Sequence, residues 1–205
     1  MAMWYFIVQS AVKVLIKLVA RVHVEGAEIL NASAPFIMAS NHLTSWDPPL
    51  IFSIVPRQHC VTVLAADKWR KVLPIRWLFD SIAAVWVRRG DVDRVALSAV
   101  LAALKRGKVL GIAPEGTRSK TGALQTARNG VTWIAQKASA PIIPIAIWGV
   151  ENIQPSLRKL RRADVYVNVG LPILFDSTQS NDANTDRVMR EIAKRLPEQY
   201  RGVYG

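Results

Sequence analysis

Apolar positions along the chain follow two rhythms. Short, mainly apolar runs occur at 36–39, 61–64, 84–87, 109–113, 142–147 and 165–169, and segments with helical spacing fill most of the intervals. Runs of this kind read as strands covered on both faces. Their alternation with helices predicts an α/β domain with a largely parallel mixed sheet flanked by helices. The best marked helix spans 91–106, with Asp91 and Asp93 in its first turn, Lys105 and Arg106 in its last, and Gly107 placed to end it. Others are predicted at 129–138 and at 185–196, the latter stopped by Pro197. The stretch 152–162 has no clear period and carries Arg158, Lys159, Arg161 and Arg162. It fits a solvated charge run, or a contact with membrane or phosphate. There is no internal repeat, low-complexity tract or evident linker.

The N-terminus adds a second pattern. Residues 4–20 are almost wholly apolar, yet Lys13 and Lys17 interrupt them and Arg21 follows, a cation at every fourth position. On a helix this spacing makes one basic stripe, with Trp4, Phe6, Ile7, Val8, Leu15, Ile16, Leu18 and Val19 over much of the rest. A spanning helix needs about 20 predominantly apolar residues, and central lysines cost it roughly 2.5 to 3.5 kcal/mol each. An amphipathic helix lying in a membrane surface (1–21), followed by one domain (22–205), is therefore expected. The alternative is an ordinary helix packed on that domain. A signal peptide carries its charges first and ends in a small-residue cleavage site, and neither feature is present.

Composition sharpens this only in part. At 205 residues and 51% hydrophobic, the chain suits a single well-cored domain. Its net charge of +12 calls for an anionic partner: nucleic acid, an anionic lipid surface or a phosphorylated substrate. The cations are not interleaved with aromatics in a recognisable RNA motif, so no nucleic-acid partner is expected. Cys60 is the only cysteine and lies in an apolar stretch, which rules out an intrachain disulfide and points to a reducing compartment.

Candidate chemistry clusters after the strands, where open α/β sheets bind ligands. The first strand runs into Ser40-Asn41-His42-Leu43-Thr44-Ser45-Trp46-Asp47-Pro48-Pro49 and the fourth into Pro114-Glu115-Gly116-Thr117-Arg118-Ser119. Of the three histidines, His42 is the one in a loop with a nearby carboxylate. Imidazole can take a proton from an attacking hydroxyl when a partner fixes its tautomer, and Asp47, read as a helix N-cap before Pro48, can be that partner. Taken alone, the pair equally fits a structural cap beside a loop histidine. Arg118 offers a planar donor fork for phosphate, with Lys68 and Arg89 as further anion contacts, and each alone also fits a surface cation. Glu115 suits bracing a cation or bonding a substrate hydroxyl.

Taken together, Asn41-His42 with Asp47, the arginines at 88 and 89, Glu115-Gly116-Thr117-Arg118, and the strand Pro141-Ile142-Ile143-Pro144-Ile145 resemble the lysophosphatidic acid acyltransferase family over residues 20–170. The order NHxxxxD, arginine block, EGTR and proline-bearing strand is the family's. The resemblance implies a glycerol-phosphate acyltransferase-like fold. It also implies transfer of an acyl group from acyl-CoA or acyl carrier protein to the sn-2 hydroxyl of lysophosphatidic acid, giving phosphatidic acid. His42 would then be the base and Asp47 its orienter, with Arg89, Glu115, Gly116, Thr117, Arg118 and, less closely matched, Lys68 binding the glycerol phosphate. No metal or cofactor is implied beyond the thioester co-substrate. The protein would sit on the membrane as a peripheral or monotopic enzyme facing the cytoplasm. Alternatives are another acceptor, such as glycerol 3-phosphate, another lysophospholipid or a lipoamino acid, or a non-catalytic basic module on anionic membranes.

Overall fold

In the computed structural model, which describes residues 2–88 and 93–205, the six apolar runs become β2 (Ile37–Ser40), β3 (Val61–Ala66), β4 (Val85–Val87), β5 (Val109–Ile112), β6 (Ile142–Trp148) and β7 (Ala163–Val169). A further strand, β1 (Ala20–Glu25), falls where the sequence pattern predicts none. It is an edge strand with five of its six residues partly or fully exposed, so it lacks the apolar run that marks the others. The sheet order is β1-β7-β6-β2-β5-β3-β4.

Strands β2 to β6 all run parallel. β7 runs antiparallel to β6, and β1 is parallel to β7. One edge of the sheet therefore collects the C-terminal ends of β2 to β6 together with the first residues of β1 and β7. This edge is the rim of the sheet.

Helices cover both faces: α1 (Ala2–Val19), α2 (Asp47–Ile54) and α3 (Leu73–Ser81) lie with one core, and α4 (Arg94–Lys105), α5 (Gly130–Ala138) and α7 (Asn181–Lys194) with the other. Period-two alternation divides β2 between the two, with Met38 buried in the first core and Ile37 and Ala39 in the second. Both faces being dry, the strand reads as a continuous apolar run. Helix bounds shift at their polar ends. α4 begins after Asp93, whose carboxylate accepts from the Ala96 N–H at 3.0 Å; Asp91 lies outside the described residues. α7 starts at Asn181 rather than at 185, because Ser180 caps it by accepting from Ala183 N–H at 3.1 Å and its first turn is polar. Within 152–162 the chain makes a short helix, α6 (Ile153–Arg158).

α1 contributes directly to the first core through Tyr5, Val8, Ile16 and Val19. Gln9 Nε2 donates to the carbonyls of Phe52 and Val55 at 3.4 and 3.0 Å. The Tyr5 hydroxyl accepts from Val61 N–H at 2.8 Å and donates to the His59 carbonyl at 3.3 Å, and burial pushes the phenol up to about 12. Val61 opens β3 at the edge away from the rim, whereas Val19 leads straight into β1 at the rim, so α1 climbs from one edge to the other. Its outer face stays in solvent, with Met3, Trp4, Ile7, Val14, Leu15 and Leu18 exposed beside Lys13 and Lys17. Among the described residues, no helix is long and apolar enough to cross a membrane.

Two glycines separate local strain from steric conflict. Gly107 and Gly149 have φ of +74° and +80°, but a Cβ on Gly107 would meet nothing within 4 Å while one on Gly149 would lie 2.5 Å from the Asp164 carbonyl oxygen. Gly107→Ala should cost only the left-handed penalty, about 1–2 kcal/mol. Gly149→Ala should cost clearly more in urea denaturation, because β7 must also give way.

Candidate active site

The site is built where β2 and β5, adjacent in the sheet, reach the rim. Asn41, the first residue after β2, is buried and its side chain replaces a missing ladder: Nδ2 donates to the Ile147 carbonyl and Oδ1 accepts from Ile147 N–H, both at 2.8 Å. This pins the start of the His42 loop to β6. Five residues on, Asp47 is the first residue of α2, and its carboxylate does not cap that helix. It turns back into the loop instead, a correction to the N-cap reading. Oδ2 accepts from Leu43 N–H at 2.6 Å and Thr44 N–H at 2.9 Å, and Oδ1 accepts from the Thr44 hydroxyl at 3.1 Å.

His42 Nδ1 lies 2.6 Å from Asp47 Oδ2. The carboxylate can only accept, so Nδ1 carries a proton, and in the neutral ring the lone pair is therefore on Nε2. Side-chain exposure is 20% for His42 against 3% for Asp47, so the ring has one open side and the acid none. The arrangement suits abstraction of a proton by Nε2, with the resulting imidazolium held against a buried negative charge.

Beside it lies the turn after β5. Gly116 has φ of +71° and its N–H bonds to the Ala113 carbonyl at 3.0 Å, a conformation that a side chain would strain. Ser119 N–H then donates to the His42 carbonyl at 2.8 Å, which locks this turn to the histidine loop. Glu115 is the second lock. It is 5% exposed, and its carboxylate oxygens accept from His42 N–H and Gln125 N–H, each at 3.0 Å. Burial raises its pKa, and the two backbone donors oppose that rise. Both oxygens are thus engaged by backbone, and Glu115 braces the two loops.

Gly116, Thr117 and Arg118 are exposed at the rim next to His42. Among the described residues, the Arg118 guanidinium has no hydrogen-bond or ion-pair partner. Lys68 is exposed in the 3-10 turn Asp67–Lys71 that follows β3, with Nζ 5.4 Å from the centre of the Trp69 ring. It is on the same rim, two strands from β2, or about 10 Å at ordinary strand spacing. Arg88 follows β4 at the sheet's end, its N–H donating to Asp93 at 3.1 Å. Arg89 lies outside the described residues.

Sequence reasoning gave no role to Thr44, Ser119 and Arg128. The signal for Thr44 was available, since its hydroxyl also accepts from Trp46 N–H at 3.0 Å in a local Ser/Thr turn. Arg128 carried none: its stem passes 3.5 Å from where a Gly116 Cβ would sit, the loop 117–127 having returned it to the rim. His23 also differs from expectation. It has a carboxylate after all, Asp164 at 3.1 Å, supplied across the β1–β7 pairing.

Residues 21–148 match the Acyltransferase family, and the chain belongs to that family. It is 30% identical over 177 residues to the 1-acyl-sn-glycerol-3-phosphate acyltransferase alpha of Ovis aries, covering 84% of this chain and 61% of that protein. With the 1-acyl-sn-glycerol-3-phosphate acyltransferase of Cocos nucifera it shares 32% identity over 189 residues, 85% of this chain and 58% of the relative. The chain spans about half to three-fifths of the length of such curated relatives. The crystal structure of the 1-acyl-sn-glycerophosphate (LPA) acyltransferase PlsC from Thermotoga maritima has the same fold, with a TM-score of 0.77 at 24% identity over 93% of this chain and 77% of that one.

Replacing Glu115 by Gln tests the brace. An amide has one acceptor oxygen, so its NH₂ would meet a backbone N–H. The variant should lose about 1–3 kcal/mol in denaturant unfolding, whereas a solvent-facing ligand contact would leave stability unchanged.

Proposed function

We propose that the protein transfers a fatty acyl group from acyl-CoA or acyl carrier protein to the sn-2 hydroxyl of lysophosphatidic acid, giving phosphatidic acid. The observation that carries this reading is the His42–Asp47 pair at 2.6 Å, on the same rim and hydrogen-bonded through its loop to the turn that presents Arg118. A base and a free guanidinium so placed suit an acceptor with a hydroxyl near a phosphate. The names of the curated relatives support the same acceptor.

His42 Nε2 takes the acceptor's hydroxyl proton as the oxygen attacks the thioester carbonyl. The C–O bond forms, the C–S bond breaks, and the proton passes from the imidazolium to the departing thiolate. Asp47 keeps Nε2 aimed outward and stabilises the transient cation. Arg118 and the backbone of Gly116 and Thr117 hold the phosphate, with Lys68 further along the rim and Arg89, assigned by its place in the sequence, as additional anion contacts. Glu115 fixes the geometry from beneath. The enzyme works at a membrane surface on its cytoplasmic side, with the exposed face of α1 and the rim's cations drawn to anionic lipid.

The test is a matrix of acyl donors against acceptors with purified protein. Wild type should transfer to lysophosphatidic acid, and His42→Ala should lose at least about 10³-fold in kcat while keeping its unfolding curve; retained turnover would remove His42 as base. Arg118→Ala should chiefly raise KM for lysophosphatidic acid and leave that for a phosphate-free acceptor unchanged.

A further inference from the structure

The function proposed above leaves the basic run after α6 unexplained. Between 158 and 162 stand Arg158, Lys159, Leu160, Arg161 and Arg162, with no acid from 153 to 163. Leu160 is 96% exposed, the most exposed large apolar residue among the described residues. Its φ is +52°, a left-handed conformation that Leu rarely adopts, and it sits at the tip of a turn closed by Leu160 and Arg161 N–H groups on the carbonyls of Leu157 and Ser156. Nothing in the fold requires a leucine there.

Its place in the fold supplies a reason. The run leads into β7, whose Ala163 pairs with Ala20 of β1, so it lies alongside the last turn of α1. Arg162 Nη1 donates to the Lys17 carbonyl at 3.1 Å, capping that helix end. The end of α1 that exposes Leu15, Lys17 and Leu18 is thereby tied through Arg162 to the run that carries exposed Leu160 and its cations. Because β7 starts at the rim, this patch is on the same edge as His42, with β6 between β7 and β2, a span of about 10 Å.

We propose that the 158–162 turn and the C-terminal end of α1 form a docking surface for an anionic lipid bilayer, with Leu160 inserting at the interface and Lys159 and Arg161 on the headgroups. The proposal rests on the membrane-surface reading above and adds the element that aims the rim at lipid. An apolar tip ringed by cations fits an anionic bilayer, whereas a free phosphate would leave Leu160 unused.

Two variants of the full chain test it by co-sedimentation with vesicles of phosphatidylglycerol and phosphatidylcholine in equal parts and of phosphatidylcholine alone. Leu160→Asn places a residue that tolerates φ of +52° at the tip, so loss of binding would not come from strain; it should weaken binding to both vesicles several-fold. Lys159→Gln with Arg161→Gln should reduce the preference for anionic vesicles by about fivefold per cation removed. Both should transfer acyl groups to a short-chain lysophosphatidic acid monomeric in water at the wild-type rate. Vesicle binding unchanged in both variants would overturn the docking surface, and so would a charge variant that lost affinity only for a nucleic-acid duplex. Absence of turnover by wild type on the soluble acceptor would instead count against the proposed reaction.

Discussion

One buried carboxylate organises the candidate site. Asp47 is almost completely removed from water, yet its oxygens receive four donors, from the backbone of Leu43 and Thr44, the Thr44 hydroxyl and the His42 ring. A buried charge is tolerable only when so satisfied. The same bonds that make it tolerable fold the five-residue loop into one shape, and the ring is one of the donors. Orientation of His42 is thus a by-product of solvating Asp47. This is why the acid occupies the first helical position rather than the cap: a capping carboxylate would spend its oxygens on α2 and leave the loop unformed.

The parallel strands then decide what this pair can meet. β5 lies next to β2, so the 115–119 turn lands on the histidine loop and is fastened there twice, through Ser119 and Glu115. A buried Glu115 whose ionisation is disfavoured by desolvation is an expensive fastener. It holds because each oxygen accepts a backbone N–H. The reversal of β7 brings the entry of β7 and the end of α1 to the rim as well, so an edge assembled from residues far apart in the chain carries base, cations and apolar tip together.

Much of this was legible in the sequence, for reasons of locality. Six strands carry mainly apolar runs and announce themselves that way, β2 and β6 most clearly because they are buried on both faces, whereas β1, wet along most of its length, does not. His42 and Asp47 are five residues apart and needed only a turn between them. Glu115 was readable as a polar residue in a loop, but its bracing of His42 and Gln125 depends on which strands are neighbours, and no local pattern encodes that. The same holds for Asp164 beside His23, for Arg128 over Gly116, and for Arg162 on the end of α1. The alternatives for the N-terminal helix were not exclusive: period and charge described two faces of one helix, one packed and one left to solvent.

The charge balance gives the pair a further physical logic. A proposed base that accepts a proton becomes a cation, and here it would do so in a chain of net charge +12, beside Arg118 and a bound thioester. Exposed cations are screened by solvent and salt, so their opposition is modest at the rim. Asp47 is not screened, being at 3% exposure and 2.6 Å away. In the proposed reaction, the asymmetry between a wet positive surface and a dry negative partner would let one rim attract an anionic acceptor at long range and still stabilise an imidazolium at contact. Neutralising Asp47 would therefore harm the proton-transfer step far more than it would harm binding, and neutralising the surface cations would do the reverse.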